Sequence, residues 1–194
     1  MRNHLLALGL LAGVANAEPV VLEELQLQAE YPVTEMPNGN LSGLAMCGET
    51  LWAVSDRDDD RLYQLHREEG LLRAEAETFV APDPPESALP WGLRMRNWAA
   101  GLVRGGALDF EGMSCDAQGN RYLVSETRAA VLQVSSNGNA QWLNLPSGLV
   151  RQARASGMLL HFNQGFEGIA IDPAGDRLWL AAEQRRRGLT VLHR

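Results

Sequence analysis

Acidic residues recur at matched positions in three stretches of this 194-residue chain, and theirs is the spacing that could do chemistry. In Ala107 to Glu126, ALDFEGMSCDAQGNRYLVSE, Glu111 and Glu126 flank two apolar segments separated by a turn cluster. Glu167 and Glu183 do the same in Gly165 to Glu183, GFEGIAIDPAGDRLWLAAE. The stretch Leu41 to Asp56, LSGLAMCGETLWAVSD, keeps the closing acid as Asp56 but opens with Ser42. Converging carboxylates repel, by roughly 4 kcal/mol for two charges 4 Å apart at an effective dielectric near 20, so a cluster of them needs a cation or a shared proton. Hard oxygen ligands with no Cys or His beside them suit Ca²⁺ before Zn²⁺. The same acids are compatible with the solvated rims of ordinary hairpins, and spacing alone leaves both readings open.

Each stretch predicts a β-hairpin that must position its two acids. The turn clusters are Asp116 to Asn120 and Asp172 to Asp176, with a shorter turn at Gly48-Glu49. Gly or Asn in such clusters supplies the φ values a tight reversal needs. Antiparallel pairing then returns the closing acid to the edge where the opening acid stands. Gly43, Gly112 and Gly168 mark the three hairpins at steps of 69 and 56 residues, too long for leucine-rich or ankyrin repeats. The spacing fits four-stranded propeller blades with insertions. The innermost strand of each blade runs beside the channel, so Glu111 and Glu167 should meet near the axis, with Glu126, Glu183 and Asp56 at the same end. Ser42 breaks the series and leaves its position to water or substrate.

A net charge of −7 and 45% hydrophobic residues are ordinary for one globular domain, and the absence of a basic stripe argues against a nucleic-acid partner. All 17 basic residues are Arg. This excludes Schiff-base lysines, a Walker A lysine and a Ser-Lys dyad. No G-x-S-x-G occurs, and His66, His161 and His193 are isolated, with only His161 near an acidic motif. The run Asp56, Asp58, Asp59, Asp60 lacks the Gly and the bidentate Glu of an EF-hand, having Arg61 and Arg67 there, and reads as a solvated turn.

Residues 1–17 have the form of a signal peptide: Arg2 and His4, an apolar run from Leu5 to Val14, and Ala15-Asn16-Ala17 before Glu18. The run is too short to span a bilayer, and no later segment is long and apolar enough. The expectation is a signal peptide over 1–17 and an exported, periplasmic or secreted propeller domain over 18–194. In that compartment Cys47 and Cys115 form a disulfide between neighbouring blades or pack as two buried thiols.

Between the hairpins the chain predicts a strand within Glu18 to Tyr31, a loop over Pro32 to Asn40, and strands over Leu62 to Leu65 and Leu71 to Val80. Pro-rich Ala81 to Pro90 is an insertion, and Trp91 to Arg104 reads as a short helix or a packed loop. Ala129 to Val134 and Gln141 to Leu145 complete one whole blade with the central hairpin. Pro146 to Met158 reads as loop, Leu159 to Phe162 as a short strand, Arg185 to Arg187 as a turn, and Leu189 to Leu192 as a further strand. About three and a half blades fit this length. An open propeller leaves bare strand edges, so the expectation is a partial propeller that belongs to a longer product or pairs with another chain.

The motifs LSGLAM with VSD, then DFEGMSCDAQGNRYLVSE, then NQGFEGIAIDPAGDRLWLAAE resemble the phytase-like family, whose name carries an esterase-like activity of phytase. The resemblance extends to alkaline propeller phytases and, more distantly, to calcium-dependent lactonase propellers. It implies an all-β, six-bladed β-propeller with Glu111, Glu126, Glu167 and Glu183 around the channel. Arg would then take the place of Lys in holding phosphate, which its planar fork binds bidentately. Two functions follow: a Ca²⁺-dependent hydrolase of phosphate or carboxylic esters, or a non-catalytic binding propeller that an ion staples together.

Overall fold

The computed structural model describes residues 25–183 and 188–193. The expected signal peptide over 1–17 and the expected turn at Arg185 to Arg187 lie outside the described residues. The chain divides at Tyr31; in the short N-terminal unit, residues 25–30 are exposed and without regular structure. The strand expected up to Tyr31 is therefore not formed over residues 25–31.

Three sheets follow one another along the second unit. The first contains β1 (Val33–Thr34), β2 (Leu41–Cys47), β3 (Thr50–Ser55), β4 (Arg61–Glu68) and β5 (Leu71–Thr78) in the order β1-β5-β4-β3-β2. The second is the up-and-down blade β6 (Phe110–Cys115), β7 (Arg121–Ser125), β8 (Ala130–Val134) and β9 (Ala140–Trp142). The third is β10 (Phe166–Ile171), β11 (Arg177–Ala182) and β12 (Gly188–His193). Two helices connect them, α1 (Trp91–Arg104) and α2 (Leu149–Ala155). This is a β-propeller seen as three blades, whose described sheets do not close into a ring.

Strand alternation puts the core between blades. Trp52 and Val54 of β3 meet Phe110, Met113, Leu123 and Leu132 of the second blade. The opposite face of that blade sends Tyr122, Val124 and Val131 against Phe166, Leu178 and Leu180 of the third. Every residue of β7 and β8 is consequently buried.

Glycine and hydroxyl side chains bring the inner strands β2, β6 and β10 together. A Cβ on Gly43 would stand 3.0 Å from the Gly112 Cα, and one on Gly112 would overlap the Glu167 carbonyl oxygen. Ser42 Oγ donates to the Phe110 carbonyl at 2.8 Å, and Ser114 Oγ accepts from the Ile171 amide at 3.1 Å. Cys47 and Cys115, at the far ends of β2 and β6, form a disulfide with Cα atoms 5.5 Å apart.

Four further expectations need correction. Val33–Thr34, read as loop, pairs in parallel with Leu72 and Arg73, which covers the outer edge of β5. Residues 149–155 form α2 because Leu149, Val150 and Ala153 make a short buried face after the helix-breaking Pro146 and Gly148. Leu159 to Phe162 is not a strand: Leu159 has φ 52° and is a buried plug whose carbonyl accepts from Arg154. The segment after Asp56 is not simply solvated. Asp58 is buried, accepting from Tyr63 Oη at 2.5 Å and Asn38 Nδ2 at 2.6 Å, and Asp59 accepts from the Ala107 and Leu108 amides.

Candidate functional site

One irregularity positions the opening residue of each hairpin. The register shifts between Leu41 and Gly43, between Phe110 and Gly112, and between Phe166 and Gly168, leaving Ser42, Glu111 and Glu167 as the extra residue of a bulge. A bulge re-aims the side chain it carries. The last pairs of the hairpins, Leu41 with Ser55, Phe110 with Ser125 and Phe166 with Ala182, set Asp56, Glu126 and Glu183 at the same edge.

Two acidic groups result. Asp56 of the first blade and Asp109 and Glu111 of the second each offer a carboxylate oxygen, and these atoms lie within 4.8 Å of one another. Oxygens that share one Ca²⁺ sit about 2.3–2.6 Å from the ion and so up to about 5 Å apart, and the donor set is all hard oxygen, so the residues fit that ion. The second group is centred on Glu167. Burial, a hydrogen bond with Glu183, and the charges of Glu183, Glu126 and Glu111 push the Glu167 pKa up to about 8. Glu126 is buried, and its Oε1 accepts from the Gly165 amide at 2.9 Å, tying the second blade to the entry of the third. Glu111 and Glu167 thus stand on adjacent inner strands.

Asp109 is the site residue that reading the sequence missed. It has φ 54° and is buried, and its carbonyl accepts from the Glu126 amide at 3.0 Å. The equivalent position holds Asn40, with φ 52°, in the first hairpin and Gly165 in the third. Asn and Asp are residues that tolerate this left-handed backbone, and their choice in the first two hairpins was the available signal; Gly165 does not adopt it. Ser42 has no charge to add to the acids, and its hydroxyl donates to the Phe110 carbonyl, tying β2 to β6. Exposed His161 lines a small cavity of about 10 Å³ that also borders Glu126 and Asn97.

The model of the phytase-like family, esterase-like activity of phytase, matches residues 36–190, and the chain belongs to that family. No curated protein matches it in sequence. Among solved structures it is similar to a gluconolactonase from Xanthomonas campestris, at 13% identity and TM-score 0.43, over 79% of this chain and 38% of that one. It is also similar to virginiamycin B lyase from Staphylococcus aureus, at 10% identity and TM-score 0.40, over 78% and 40% of the two chains. The calcium-binding protein regucalcin from Agrobacterium tumefaciens gives 17% identity and TM-score 0.39, over 78% and 44%. The chain therefore spans less than half the length of each. Among the described residues no helix is long and apolar enough to cross a membrane.

Proposed function

We propose that the protein is an exported, Ca²⁺-dependent hydrolase of phosphate or carboxylic esters. The observation that carries this reading is the convergence of Asp56, Asp109 and Glu111 from two blades within 4.8 Å. These three would hold the ion, with Glu126, Glu167 and Glu183 beside it. The ion would supply Lewis-acid polarisation of a phosphoryl or acyl oxygen. The chain's own part is positional: the bulges at Glu111 and Glu167 aim the carboxylates, and the Gly165 amide fixes Glu126. The family supports ester chemistry. The disulfide is compatible with an oxidising compartment and, with Ala15-Asn16-Ala17, supports export and cleavage after Ala17. Leu44 and Met46 on β2 and Val191 on β12 are exposed, which supports further blades packing on this arc, from a longer chain or a second copy.

A second reading, an ion that staples blades without catalysis, is favoured by one feature: Asp56 and the Asp109–Glu111 pair sit on different blades. Calorimetric titration with CaCl₂, together with hydrolysis of p-nitrophenyl phosphate and p-nitrophenyl acetate, separates the two. Asp109→Asn and Glu111→Gln keep shape while removing charge, so both should abolish calcium binding. Asn tolerates the left-handed backbone at 109. Unchanged calcium affinity in both variants would leave these acids without a part in ion binding, and calcium binding without turnover of either ester would establish the staple.

A further inference from the structure

Helix α1 touches the blades through Leu93 and carries its larger apolar face on the other side. Leu93 packs against the core between the second and third blades. Trp91, Met95, Trp98 and Leu102, spaced i, i+4, i+7 and i+11, share the opposite face. Trp91 is 75% exposed, Trp98 62% and Leu102 69%. Tryptophan side chains grouped on a surface mark a binding site more often than an accident of composition.

This face is one wall of a groove of about 420 Å³, and Thr127 and Arg128 belong to the other. The volume lies in the range of about 300–1,000 Å³ typical of small-molecule sites. Charge completes the picture. The acid at the groove, Glu86, is neutralised by Arg94 at 2.8 Å. The Nε of Arg128 is buried without a hydrogen-bond partner. That atom has no exposed surface, so what counts at the groove is the charge of Arg128, and an anionic oxygen is the group a guanidinium binds best.

We propose that this groove binds a small amphiphilic anion, its alkyl or aryl chain laid along Trp91 and Trp98 and its carboxylate or phosphate head at Arg128. The chain covers the exposed tryptophan faces, and the head pairs with the charge of Arg128, which lines the groove. Thr127 and Arg128 follow Glu126 directly in the chain, and Asn97 borders both this groove and the cavity at Glu126. The ligand therefore sits beside the acidic site, yet the proposal stands on the groove alone and does not need the hydrolase reading.

Calorimetric titration of the full chain with octanoate, octyl phosphate and octanol, in chelator and below micelle concentrations, tests this. Both anions should bind one to one, and the tighter of the two names the head group. Trp98→Ala should weaken binding by about tenfold or more. Arg128→Gln should weaken the anions to the level of octanol while leaving octanol unchanged. Trp98 is exposed, so its replacement leaves the fold intact, which the melting curve verifies. Octanol binding as tightly as octanoate, anion binding unchanged in both variants, no binding at all, or binding to phosphatidylglycerol vesicles with none to the monomeric anions would each overturn the proposal.

Discussion

Gly112 lies so close to the Glu167 carbonyl that a Cβ on residue 112 would overlap the oxygen. Backbone meets backbone there, so neither side can rotate away, and the inner strands β6 and β10 would have to separate. Gly168 occupies the same motif position in the third hairpin, yet a Cβ there meets only the Ala181 methyl, at 3.0 Å. Gly112→Ala should therefore cost about 3 kcal/mol, the upper range for overpacking, and Gly168→Ala about 1 kcal/mol. Urea unfolding of the two variants checks this. Equal losses would mean that the glycine serves the hairpin and not the approach of the blades.

The Cys47–Cys115 bridge joins residues 68 apart in sequence and fastens the first inner strand to the second. Chain-entropy reasoning gives a loop of that length roughly 4 kcal/mol of stabilisation through the unfolded state. Reduction with dithiothreitol should lower the melting temperature, and Cys47→Ser should reproduce the fall and be insensitive to the reductant. A melting temperature unmoved by reduction would show that the inter-blade core holds β2 against β6 unaided.

The hairpins were legible because their signals are local: alternating apolar residues, a Gly-containing turn, and an acid at each open end. β7 fills the interval between the turn expected at Asp116 to Asn120 and the closing acid Glu126, over Arg121–Ser125. What escaped was set by distant partners. Two residues of β1 are a strand only because β5 offers its edge, and Leu159 is left-handed because Arg154 and the core hold it there. The acidic site was half legible for the same reason. Glu111, Glu167 and their closing acids could be read from the repeat, but Asp109 comes to Asp56 through a left-handed residue before β6. The run Asp58, Asp59, Asp60 looks uniform in sequence and is divided by the fold into a buried acceptor, an inter-blade clamp and a surface ion pair.

That division is testable. Asp59 accepts from two backbone amides across the blade boundary, Ala107 at 2.6 Å and Leu108 at 2.9 Å. Asp60 faces Arg61 at the surface, where the guanidinium lowers its pKa. Bonds to a charged acceptor contribute about 1.5–3 kcal/mol each, less where solvent reaches them, so Asp59→Ala should cost about 2 kcal/mol. Asp60→Ala should cost less than about 0.5 kcal/mol, as for an exposed pair. Chemical denaturation of both variants decides it, and a larger loss from Asp60→Ala would sink the assignment.

Glu167 should make the metal-free protein less stable as the pH rises. Its pKa is pushed up to about 8 from the ordinary 4.5, first by burial and then by the hydrogen bond and charge of Glu183, with Glu126 and Glu111 adding. Between these two values the folded state keeps a proton that the unfolded chain has lost. The unfolded state therefore binds fewer protons, and stability falls with pH throughout that window. The contribution is fully present below about pH 4.5 and gone above about pH 8. Melting temperatures in chelator from pH 5 to 8.5 should decline for the wild type. Glu167→Gln cannot release a proton and should show a shallower decline, since the remaining titrating groups are common to both proteins. Parallel slopes would mean that the carboxyl at position 167 ionises in the folded state as it does in the unfolded chain, and that the neighbouring acids do not crowd it.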